Sequence, residues 1–143
     1  MITSHNHSSF TVSDLERSMA FYKDNLGFQV ETVFEAQGKP IQQITGLSGA
    51  HLKIAHLLLR DFRLELIEYI SPVGKPLDLA TCNVGSAHIA FYSENVEETY
   101  QEMVSKGILF KGAPVAAAPG RPQVAYFLDP DGITLELSQV VPG

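Results

Sequence analysis

Two histidines and two glutamates stand at matched points of an internal repeat. The stretch HNHSSFTVSDLERSMAFYKDNLG, residues 5–27, returns as SAHIAFYSENVEETYQEMVSKG, residues 86–107, with His88 in the place of His7. Phe91 then falls on Phe10, Asn95 on Asp14, Val96 on Leu15 and Glu97 on Glu16. A second match lies downstream, where Leu64-Glu65-Leu66 aligns with Leu135-Glu136-Leu137. A single glutamate in an alternating segment is ordinarily on a solvated face, and a single histidine at a strand start is equally bland. Here both recur. Two neutral imidazoles and two carboxylates suit one divalent metal ion such as Zn, Ni, Co, Mn or Fe. His5 is a rival for His7, but the spacing to Asp14 favours His7.

The elements that would carry these residues follow from periodicity. Each copy opens with a short strand, His7 to Val12 and His88 to Ser93. In the first copy Ser13-Asp14-Leu15-Glu16 reads as a capping box, and Leu15, Met19, Tyr22 and Leu26 continue at helical spacing to a stop at Gly27. In the second, Asn95 caps a stripe of Val96, Tyr100 and Met103 that ends at Gly107. Strand-like segments follow at Phe28 to Glu35 and Ile108 to Val115. Hairpins close the copies, from His56 to Glu68 with a turn at Arg60-Asp61, and from Val124 to Leu137 with a turn at Asp129-Pro130-Asp131-Gly132. Residues 36–50, with Gly38, Pro40, Gly46 and Gly49, read as an irregular loop that could line a site.

The chain therefore reads βαβββ twice, an α+β fold. Module 1 covers about residues 5–70, a linker about 71–85 and module 2 about 86–140, within one domain spanning 1–143. Side chains alternate across a strand, so the leucines flanking Glu65 and Glu136 share the face that buries against a helix. Each glutamate takes the other face. A turn on Arg60-Asp61 sets His56 across from Glu65 on that same face.

Bulk properties narrow the function classes. The 143 residues carry a formal charge of −6 with Lys and Arg scattered, which argues against nucleic-acid or anionic-membrane partners. No apolar run approaches the ~20 residues of a membrane span. Cys82 is the only cysteine, so an internal disulfide is impossible and a reducing cytosol is the expected location. The opening MITSHNHSSF lacks the features of a signal peptide.

These motifs resemble the vicinal oxygen chelate superfamily, which includes glyoxalase I, methylmalonyl-CoA epimerase, extradiol dioxygenases, and fosfomycin- and bleomycin-resistance proteins. The matching residues are His7 with Val12-Ser13-Asp14-Leu15, Phe21-Tyr22, Leu26-Gly27-Phe28, His88-Ile89-Ala90-Phe91, and Asp129-Pro130-Asp131-Gly132 before Leu135-Glu136-Leu137. The resemblance implies paired modules forming a curved, cleft-enclosing sheet with the helices outside. It also implies metal ligands His7, Glu65, His88 and Glu136. A carboxylate at Glu65 tilts the expectation toward glyoxalase I or epimerase chemistry. In the resembling dioxygenases and fosfomycin enzymes that carboxylate is not expected, and bleomycin-binding members lack the metal set.

Four protein ligands leave two positions open on an octahedral ion. A substrate with two neighbouring oxygens, or a thioester, would meet them while a proton leaves the carbon next to a carbonyl. Glu65 and Glu136 are candidate bases by the resemblance, and His56 by its expected register. The stretch Pro40 to Thr45 offers only Gln42 and Gln43 where the epimerase base would stand. Arg121 and Lys53 are candidate contacts for an anionic substrate group, although surface solvation is the plainer role for each. A homodimer is expected. The alternatives are an iron-dependent extradiol-type dioxygenase and a non-catalytic small-molecule binding or resistance protein on the same fold.

Overall fold

A computed structural model describes residues 1–141. The chain divides between Pro76 and Leu77 into two compact units. The first contains β1 (Ser8–Thr11), α1 (Leu15–Leu26), β2 (Gln29–Gln37), α2 (Lys39–Thr45), β3 (His51–Leu59) and β4 (Phe62–Ser71). The second contains β5 (Ile89–Ser93), α3 (Val96–Ser105), β6 (Val115–Ala116), β7 (Gln123–Leu128) and β8 (Thr134–Gln139). Each unit builds one four-stranded mixed sheet, ordered β1-β4-β3-β2 in the first and β5-β8-β7-β6 in the second. The first and last strands of each module pair in parallel, with Ser9 beside Glu65 and Ala90 beside Glu136.

The core of each unit lies between the sheet and its long helix. In the first, Leu15 and Tyr22 of α1 are buried together with Ala55, Leu57, Leu64 and Leu66 of the hairpin. In the second, Val96 and Met103 of α3 are buried with Ala125, Phe127, Leu135 and Leu137. Burying a leucine or phenylalanine fully is worth about 1.5–3 kcal/mol, so this shared pattern fixes which sheet face carries the helix.

The helix starts are built alike. Asp14 Oδ1 accepts from the backbone N–H of Arg17, and Asn95 Oδ1 from that of Glu98. The cap of α1 is thus Asp14 and not Ser13, one residue later than the capping-box reading; the Ser13 hydroxyl accepts from Arg17 instead. A second orphan amide in each first turn is met from the last strand. Leu15 N–H donates to Glu68 Oε2 at 2.8 Å, and Val96 N–H to Gln139 Oε1 at 3.0 Å.

Two further sequence expectations change. Residues 36–50 are not an irregular loop. β2 runs on through Gln37, and α2 follows with Gly38 at its N-cap, Pro40 in its first turn and Gly46 in the left-handed conformation at its end. The glycines and proline read as breakers are the punctuation of a short helix. Its Ile41 is buried in an apolar cluster with Leu52 and Ile54 of β3, against which Ile67 and Tyr69 of β4 pack. Secondly, the strand expected at Ile108 to Val115 is fragmentary. Lys111 N–H donates to the Tyr126 carbonyl and Leu128 N–H to that of Leu109, but regular pairing resumes only at Val115–Ala116. Gly112 and Pro114 interrupt the ladder between them.

Candidate metal centre

His7 and His88 occupy equivalent places, each immediately before the first strand of its module. Glu65 and Glu136 sit on the last strands, between the buried leucines that alternation assigns to the helix side. His7 Nε2 lies 3.4 Å from Glu65 Oε1, and His88 Nε2 lies 3.2 Å from Glu136 Oε2. Both carboxylates are mostly buried, with 14% and 16% of their side-chain surface exposed. His5 takes a different environment, with its ring stacked on Phe62 and Nε2 by the Ser8 hydroxyl.

The spacing of each pair suits an ion. Two ligands about 2.1 Å from a common centre lie roughly 3.0–3.4 Å apart at octahedral or tetrahedral angles. Hydrogen bonding at the other ring nitrogen of His7 fits the same reading. Its Nδ1 is 2.6 Å from Asn6 Oδ1, an oxygen that can only accept. Nδ1 therefore carries the hydrogen, which leaves Nε2 as the nitrogen that faces a carboxylate oxygen and could ligate an ion. Among the described residues, no three or more His, Cys, Asp or Glu side chains within one group are arranged to hold an ion. Each module thus offers a two-donor half-site.

The hairpin of module 1 turns at Arg60 and Asp61, with Leu59 paired to Phe62 and Arg60 at φ +55°. That register sets His56 opposite Glu65. His56 Nε2 is 2.9 Å from Glu65 Oε2, so one carboxylate has an imidazole on each side. The corresponding neighbour in module 2 is Tyr126, opposite Glu136, with its ring 5.0 Å from that of His88. Sequence reasoning passed over Tyr126. The signal was available in the alternation of β7, once the register of its hairpin is known.

Cations are placed as follows. Lys53 lies on the opposite face of β3 from His56, in register between Glu35 and Glu68. Arg121 is exposed in the loop before β7. Arg63 shares the face of Glu65, two residues away on β4, and donates a bidentate pair of hydrogen bonds to Glu31 at 2.9 and 3.0 Å. Its position was legible from period-two alternation alone.

Comparison with known proteins agrees with this architecture. YwkD, an uncharacterized protein of Bacillus subtilis, is 30% identical over 141 residues, covering 96% of this chain and 97% of its own. Virulence protein STM3117 of Salmonella typhimurium is 27% identical over 139 residues, covering 95% and 83%. Among solved structures, a glyoxalase family protein from Bacillus cereus matches with a TM-score of 0.87 at 19% identity, over 99% of this chain and 97% of that one. The fosfomycin resistance protein FosX from Listeria monocytogenes matches at 0.70 and 21% identity, over 99% and 96%. At these identities the structural likenesses speak for the fold. The family model extends over residues 4–137 and so takes in both His–Glu pairs; the chain belongs to the Glyoxalase/Bleomycin resistance protein/Dioxygenase superfamily.

Proposed function

We propose that the chain is a metal-dependent isomerase or lyase of glyoxalase I or epimerase type, acting on a small molecule with neighbouring oxygens or a thioester. The two units would act as one domain, and His7, Glu65, His88 and Glu136 would hold one divalent ion. Such an ion, when bound, supplies Lewis acidity that stabilises negative charge on substrate oxygen. The chain's own residues supply the rest. A carboxylate, Glu136 or Glu65, takes the proton from the carbon beside the carbonyl and returns it. The leucines on either side of each glutamate anchor it to the buried layer, so the oxygen that moves the proton starts from a fixed strand. Arg121 is proposed to meet an anionic substrate group from its exposed loop. Lys53, facing the other side of β3, would act there only from outside the His–Glu face.

The observation that carries this reading is the repeated His–Glu pair, at 3.4 Å in one module and 3.2 Å in the other. Family membership supports it, since the superfamily includes glyoxalases. A homodimer in a reducing, cytoplasmic setting is part of the proposal. Tyr92 and Val33 are among the apolar side chains left exposed for an interface.

The test is metal analysis of protein purified without chelator, then a substrate panel on the reconstituted enzyme with solvent deuterium as tracer. One divalent ion per chain, lost in His88→Ala, and deuterium at the substrate carbon are expected. A protein that takes up no divalent metal with both pairs intact would be a small-molecule binder. Tightly held Fe(II) with oxygen uptake would make it an oxygenase.

A further inference from the structure

We infer that His56 is a positioning residue for Glu65: it fixes one carboxylate oxygen by hydrogen bonding and leaves the other directed at His7. The inference deepens the metal-centre reading and rests on it for its consequence. The two imidazoles beside Glu65 are held differently. His7 gives its Nδ1–H to Asn6 and faces Oε1 with Nε2 at the longer distance of 3.4 Å. His56 Nε2 is 2.9 Å from Oε2, the length of a charge-assisted hydrogen bond. A carboxylate can only accept, so His56 Nε2 carries the hydrogen and donates it. The nitrogen that faces the carboxylate is already protonated and is not placed to take a proton from a substrate there.

Packing holds the imidazole in this pose. The edge-on ring of Phe34 stands 5.6 Å from it on the β2 side, and the ring of His7 lies 5.9 Å away on the other. The cross-strand register with Glu65 then sets donor opposite acceptor. Module 2 places Tyr126 at this point, so the device belongs to Glu65 alone. Its effect is to orient one ligand oxygen before any ion arrives, the role outer-shell partners play at metal sites.

Co(II) titration of the full chain, followed by visible absorption and calorimetry, tests this with three variants. His56→Leu removes the donor and should weaken Co(II) binding by about 10–100-fold. His56→Gln keeps an N–H within reach of the same oxygen and should restore affinity to within a few-fold of the parent. Tyr126→Phe should leave it unchanged. Parent-like affinity in His56→Leu overturns the inference, and so does His56→Gln binding as poorly as His56→Leu, because a packing ring would not be rescued by an amide. A metal-free readout separates this from the metal reading. In ¹⁵N-histidine spectra of the parent, His56 should be the Nε2–H tautomer, with a resonance that moves in Glu65→Ala. If the parent takes up no Co(II), the metal reading fails and this spectrum alone decides the hydrogen bond. An Nδ1–H tautomer for His56 overturns it.

Discussion

The two modules keep the same skeleton and differ in how much is built on it. Both have a histidine before the first strand, a glutamate on the last, an Asp or Asn cap, and a last-strand side chain closing the helix start. Module 1 adds a nine-residue β2, the short α2, and a hairpin of nine and ten residues. Module 2 makes do with a two-residue β6 and a six-and-six hairpin. The parts held in common are those that set a donor pair at ligand spacing and hold the helix against the sheet. The cross-strand position beside the glutamate, which neither task requires, is His56 in one and Tyr126 in the other.

This comparison can be broken most severely in the thinner module. Phe127 is fully buried beneath α3 in the sheet with the shorter strands, and Phe127→Ala should cost about 3–5 kcal/mol in chemical denaturation. Its unfolding should precede that of module 1, giving a transition with more than one step. A single unbroken transition would mean that the modules fold as one unit despite their unequal sheets.

The half-sites should differ next. His88→Ala leaves Glu136 without an imidazole, whereas His7→Ala leaves His56 beside Glu65. Isothermal titration with Co(II) should show a loss beyond the ~10–100-fold of outer-shell changes for His88→Ala, and a smaller one for His7→Ala. Equal losses would show that the hold of His56 on Glu65 does not soften the loss of a ligand. Glu136→Gln then separates ligation from proton transfer. On an identified substrate at saturating metal, its activity should fall by more than its metal occupancy; activity within a few-fold of the parent would move the base to Glu65.

The smallest effect concerns the helix starts. Glu68 places a carboxylate at the start of α1, whereas Gln139 places a neutral amide at that of α3. Glu68→Gln should lose about 0.3–1 kcal/mol in thermal or urea unfolding at low salt, through the weaker interaction with the helix dipole. Gln139→Glu should gain less than this, because Glu97 and Glu98 already occupy the first turn of α3. A gain of equal size would remove the distinction.

Much of the molecule is written in local pattern. Period-two alternation placed Glu65 and Glu136 opposite the leucine layer, helical spacing placed Tyr22 and Met103 inside, and the repeat paired His7 with His88. A two-residue turn fixed His56 against Glu65, because a tight hairpin leaves one register. These features depend on neighbours in sequence, whose geometry backbone sterics dictate. Register over longer loops does not. In module 2, closing the hairpin tightly from Leu128 to Ile133 would set Ala125 against Glu136. Instead Asp129 Oδ1 accepts from the N–H groups of Asp131 and Ile133, Gly132 adopts φ +80°, and Leu128 pairs with Thr134. That one-residue shift brings Tyr126 to the glutamate. The reach of Glu68 and Gln139 to helix amides 53 and 43 residues away likewise depends on which strands lie side by side. Burial and hydrogen-bond satisfaction across the whole unit decide that, and no local spacing contains it.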